Sequence, residues 1–236
     1  MEVDTNPGPL TLRPVRAQLV ALTVALLGIS TAGAATPTDQ RGFVSDGIAG
    51  GLYFQRCEAG GPSPTQVLLH DKSPGRVLTA GLGEVRRAML GADRPVYVEF
   101  RGAYAGDAAG QEATALQFYR AVGHVASCSA VQPPASNVRL LAEGTQPAWR
   151  LHATPAGTRL ERVGQKPLQF ASAKLTTTDT ATKARTYVAA AAPGGTRMQL
   201  DVTEQACNDS AAESAFGARV IAQWGEQRLK GCAVRF

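Results

Sequence analysis

Four cysteines, Cys57, Cys128, Cys207 and Cys232, all lie downstream of an apolar N-terminal run. No other feature restricts the fold as strongly. An even number of cysteines behind a leader points to two disulfides formed in an oxidising compartment, not to metal or thiol chemistry. Two covalent ties allow small domains with modest cores to stay folded. The four residues permit three connectivities, and spacing alone does not choose among them.

The leader explains why these cysteines oxidise. Arg13 and Arg16 precede an apolar run from Leu19 to Ile29, and Ala32-Gly33-Ala34 has the small-residue form of a cleavage site. The run is about a dozen residues, short of the roughly 20 needed to span a bilayer as a helix. Residues 1–34 therefore read as a cleavable signal peptide, with membrane contact only through the leader if cleavage fails. No cysteine stands directly after the apolar run, so no site for a lipid-modified N-terminus is expected there. The expected location is the periplasm or the extracellular medium.

Charge divides unevenly along the remainder. Residues 35–130 hold nine basic and nine acidic side chains, while residues 131–236 hold thirteen basic and eight acidic ones. The whole excess lies in the C-terminal half, which fits attraction to an anionic surface component or to an envelope protein. No run of like charges and no aromatic-basic interleaving points to nucleic acid.

Segment 129–137, which contains Pro133-Pro134 between small polar residues, reads as a linker. It separates a module over 35–128 from one over 138–236. In the first, 51–57 and 66–70 have strand composition. Val96, Val98 and Phe100 alternate with Tyr97, Glu99 and Arg101, and 115–122 continues the β pattern. One helix is expected over 80–90, with Leu82, Val85 and Met89 on one stripe and Gly91 as its stop.

In the second module, Trp149, Leu151 and Ala153 run into a Pro155-Ala156-Gly157 turn, and Thr158 to Arg162 return from it as a hairpin. Weaker strands are expected at 169–174 and 187–190, separated by a Thr-rich loop over 176–182. Met198, Leu200 and Val202 alternate toward Cys207, and a last hairpin turns at Gly225-Glu226. One cysteine pair in each module gives Cys57–Cys128 and Cys207–Cys232, a choice that follows from the linker.

Gln146-Pro147-Ala148-Trp149, then Cys207-Asn208-Asp209, then Gly231-Cys232-Ala233 give 138–236 a recognisable frame. It resembles an uncharacterised family of bacterial envelope proteins of membrane-protein or lipoprotein type. That family is similar in arrangement to NlpE and to META-domain proteins. The resemblance implies a small META- or lipocalin-like β-barrel or sheet in which Trp149, Asp209 and Gly231 are structural. Residues 35–128 more distantly resemble the OB-like module of such proteins. The chain departs from the family at Gln146, Ala148, Ala211, Ala212, Phe216 and Gly217, so no ligand site is carried over. The C-x-x-C pair of NlpE is absent, and with it a metal or thiol-exchange role.

No catalytic motif stands out. His70, His124 and His152 are far apart in sequence and lack metal-ligand spacing. There is no G-x-S-x-G, and Gly81-Leu82-Gly83 lacks the spacing of a phosphate loop. The chain thus reads as mainly β and non-enzymatic, with no cofactor and no metal. It would be an envelope protein that acts as a binding or stress-related module. The alternatives are a lysozyme or protease inhibitor, or a hydrolase with a dispersed site.

Overall fold

Alternating apolar residues give a chain that is mainly β with one α-helix. A computed structural model describes residues 36–47, 50–90, 93–105, 112–132, 135–189, 195–208 and 213–235. The leader, Gly91, Pro133-Pro134 and Asp209 lie outside the described residues. The first strands are β1 (Thr38–Asp46), β2 (Leu52–Glu58) and β3 (Gly61–Asp71), which form an antiparallel meander. After helix α1 (Val77–Ala88) come β4 (Val96–Ala105) and β5 (Glu112–Val122). β4 pairs with β1 and with β5, and β5 pairs in parallel with β3. The strands therefore close in the order 1-2-3-5-4-1, with the helix between the third and fourth. This is the topology of an OB-like ring.

The inward side chains of the ring are large. Val44, Phe54, Val67, Val98 and Phe100 are buried against one another, with Phe54 and Phe100 edge to face at 5.1 Å between ring centres. Helix α1 adds Val77, Leu78, Leu82, Val85 and the following Met89 to this core. It begins three residues before the sequence reading placed it. Asp71 explains the earlier start: its carboxylate accepts from the Thr79 amide and hydroxyl at 2.8 and 2.7 Å and from the Ser73 amide at 2.9 Å. An acidic side chain there satisfies first-turn donors that have no partner within the helix.

The second half consists of β6 (Leu140–Thr145), β7 (Ala148–Thr154), β8 (Gly157–Arg162), β9 (Leu168–Phe170), β10 (Lys174–Asp179), β11 (Ala184–Ala189), β12 (Met198–Cys207), β13 (Ser214–Trp224) and β14 (Gln227–Arg235). All its pairings are antiparallel, in the order β10-β11-β12-β13-β14-β6-β7-β8-β9. The start of β13, Ser214–Phe216, also pairs with the end of β5, so the ring and this sheet are continuous. Residues 35–236 form one compact unit. Within it the inner face of β6–β14 has its own apolar core, including Trp149, Leu151, Leu160, Met198, Leu200 and Val220.

Three local expectations are corrected. The strand expected over 169–174 is β9, which stops at Phe170, and the Thr-rich loop expected over 176–182 is largely strand β10. Every residue of β10 is exposed, so no inside-outside alternation marks it; its threonines suit an extended edge. β1 and β6 also form where no strand was anticipated. In β1, Phe43 and Val44 are both buried because each face of the strand is covered, and adjacent burial erases the period-two signal.

Candidate functional site

The cysteines pair as Cys57–Cys128 and Cys207–Cys232, closing loops of 71 and 25 residues. The first bridge fastens the segment after β5 to the outside of the ring. There Val125 and Val131 pack on Phe43, Tyr97 and the bridge itself. Beside it lies a buried charge network. Glu99, whose side chain is 7% exposed, receives Arg120 Nε at 2.8 Å, Arg120 Nη2 at 2.9 Å and the Tyr97 hydroxyl at 2.9 Å. Arg120 Nη2 also donates to the Gln132 carbonyl at 3.0 Å. Burial, then the adjacent Glu99 carboxylate, push the Tyr97 phenol up. Burial and a hydrogen bond to Asp39 at 2.9 Å do the same for Tyr119. Three hydrogen bonds tie Glu99 to its own fold, and Arg120 carries the tie on to Gln132, so the network clamps the segment that crosses it.

The second bridge sits beside the basic surface. Along β13 the outward positions are Arg219, Ile221 and Gln223; along β14 they are Arg228 and Lys230. The register sets Arg219 opposite Cys232, Ile221 opposite Lys230 and Gln223 opposite Arg228. Three cations from one hairpin thus surround a single isoleucine. With Thr145, Gln146 and the Cys207–Cys232 bridge they line a depression of about 410 Å³.

None of the three forms an ion pair among the described residues. Other bases of this half do: Arg150 with Glu143, Arg159 with Glu161, and both Arg185 and Arg235 with Glu204. Asp201, opposite Ile221 on β12, is held by the Thr186 hydroxyl at 2.8 Å and the Gln199 amide at 3.0 Å. The hairpin therefore presents net positive charge to solvent.

Trp149 and Gly231 meet directly behind this surface. The indole N–H donates to the Lys230 carbonyl at 3.2 Å, and the ring lies over two glycines. A Cβ at Gly144 would stand 2.3 Å from Trp149 Nε1, and one at Gly231 would stand 2.7 Å from the same ring and 2.1 Å from the Glu143 carbonyl. Only glycine lets β6 and β14 approach the indole this closely. Trp149 thereby fixes the stretch of β14 that bears Lys230. Trp149 and Gly231 are thus brought together beside the second bridge, whereas Cys57–Cys128 belongs to the ring. Sequence reasoning found the charge excess but missed its focus at Arg219, Arg228 and Lys230. The period-two pattern across the Gly225-Glu226 turn was the available signal.

The histidines are not brought together. His70 meets Glu112 at 3.4 Å and His124 meets Glu213; both pairs are partly exposed, and no serine hydroxyl joins them among the described residues. No group of three or more potential metal-ligating side chains occurs among the described residues. No helix among them is long and apolar enough to cross a membrane. Comparison with protein families, with curated proteins and with solved structures finds no match to this chain.

Proposed function

We propose that this is a non-enzymatic envelope protein, acting outside the cytoplasm, that binds an anionic surface component through the β13–β14 hairpin. The observation behind this reading is the trio Arg219, Arg228 and Lys230: three exposed cations with no acidic partner among the described residues, held on adjoining strands. Exposed cations of this kind contribute little to folding and leave their full field available to a partner. Two disulfides fit an oxidising, extracytoplasmic compartment. The resemblance of 138–236 to envelope proteins of the NlpE and META type supports the same setting, and the leader supports export.

Co-sedimentation with phosphatidylglycerol vesicles, with phosphatidylcholine vesicles as the control, tests the reading. Binding is expected to the anionic vesicles only and to weaken steeply with salt. The triple variant Arg219→Gln/Arg228→Gln/Lys230→Gln is expected to bind about a hundredfold more weakly, from roughly 1 kcal/mol per basic residue near an anionic surface. Equal binding to both vesicle types, or an undiminished triple variant, rejects it.

A further inference from the structure

The geometry points to a second site: the mouth of the β6–β14 sheet takes a single-chain amphiphile whose head group is a carboxylate. The inference does not depend on the β13–β14 surface. It starts from a gap in the fold. The sheet curls so that its two edge strands, β9 and β10, are consecutive in the chain and linked only by residues 171–173, yet among the described residues no pairing joins them. The opening leaves a cavity of about 420 Å³. On one wall stand Leu140 and Ala153, opposite each other on β6 and β7; on the other stand Leu175, Tyr187 and Leu200, aligned across β10, β11 and β12.

Volume, apolar walls and a few polar groups at the rim are the usual composition of a small-molecule site. Leu175 is 53% exposed at this rim, an aliphatic surface that an acyl chain lying in the cavity would cover.

The polar groups at the mouth determine the head group. Arg139 lines the cavity, is exposed and makes no ion pair among the described residues, while its backbone amide is fixed to the Ala153 carbonyl at 2.8 Å. Arg235, opposite Leu140 on β14, also lines the cavity. Its Nη2 donates to Glu204 at 2.7 Å.

Glu204 pairs with both Arg235 and Arg185, so that trio keeps one net positive charge, and Arg139 adds a second at the mouth. A net positive mouth selects an anionic head group over a cationic one. The planar Arg139 guanidinium, with its parallel N–H donors, matches the two oxygens of a carboxylate.

The test is a fluorescence titration of the full, disulfide-bonded chain with dansyl-undecanoic acid, displaced by dodecanoate or by dodecyltrimethylammonium. Saturable binding is expected, with dodecanoate displacing the probe at a concentration at least about tenfold lower than the cationic amphiphile, the effect of one charge-assisted hydrogen bond. Ala173→Trp, which fills the mouth from a position outside the strands, is expected to abolish binding while near-ultraviolet circular dichroism keeps its native form. Arg139→Gln is expected to weaken dodecanoate about tenfold and to leave dodecanol unaffected. Equal displacement by the two amphiphiles, no saturable binding, or a native-like Ala173→Trp variant that binds normally overturns the proposal.

Discussion

In the ring of β1–β5 every strand has a neighbour on both sides, because β3 returns to β5; in the sheet of β6–β14, β9 and β10 each have only one partner among the described residues. Both have apolar interiors: the ring holds Phe54, Phe100, Phe118 and the leucines of α1, and the open sheet holds Trp149, Leu151, Leu160, Met198 and Leu200 with a larger share of alanines. Closing a small ring demands that large side chains occupy its centre, since an unfilled interior forfeits dispersion contacts. An open sheet is under no such demand, and this one keeps a mouth of about 420 Å³. The contrast is one of closure: the strands of the first half are paired on both sides, and the second half, which bears the exposed cations, keeps two open edges among the described residues.

Breaking the two disulfides separately tests that division most strongly. Removing Cys57–Cys128 frees a 71-residue loop and is expected to lower unfolding free energy by about 4.4 kcal/mol; removing Cys207–Cys232 frees 25 residues and is expected to remove about 3.5 kcal/mol. Urea denaturation of the two double-serine variants measures both. A larger loss from the second pair would mean that the open sheet, not the ring, limits stability, and the comparison would have to be inverted.

The clamp on the ring sharpens it next. Arg120→Met leaves Glu99 buried without its guanidinium and is expected to lose about 3 kcal/mol, the lower end for such a break because Arg120 is itself 15% exposed. Replacing both partners, Glu99→Gln with Arg120→Met, removes the stranded charge and is expected to recover much of that loss. If the double variant is as unstable as the single one, the network acts through packing and not through charge.

Legibility in the sequence follows the same division of faces. β4 was readable because Val96, Val98 and Phe100 face the core while Glu99 and Arg101 do not share it. The helix was readable because its stripe faces one wall. β1 was hidden because the segment after β5 covers its outer face, and β10 because nothing covers either face. The paired roles of Trp149 and Gly231 were visible only as a motif; the glycine is needed because a Cβ there would stand 2.7 Å from an indole carried by a strand far away in the chain. The mouth of the sheet had no local signature at all. Arg139 and Arg235 are nearly a hundred positions apart and meet only because β14 lies against β6.

The smallest expected effect at neutral pH comes from the tyrosines on the outside of the ring, and pH enlarges it. Tyr97→Phe removes one hydrogen bond to Glu99 and is expected to lose about 1 kcal/mol near neutrality. Both Tyr97 and Tyr119 hold their protons more tightly in the fold than the ordinary phenol value of about 10, first because they are buried and then because each faces a carboxylate. Below that value both states are protonated and the tyrosines add no pH dependence. Above it the unfolded chain gives up protons that the native protein keeps, so the unfolded state binds fewer protons and stability falls as pH rises. The alkaline decline is therefore expected to begin near pH 10 and to be shallower in Tyr97→Phe/Tyr119→Phe, as read by urea denaturation at a series of pH values. Absorbance titration of the native protein would show these two phenols ionising last. An alkaline limb unchanged by the double substitution would move that sensitivity away from the ring and weaken the claim that its outer face is the more tightly held part of the molecule.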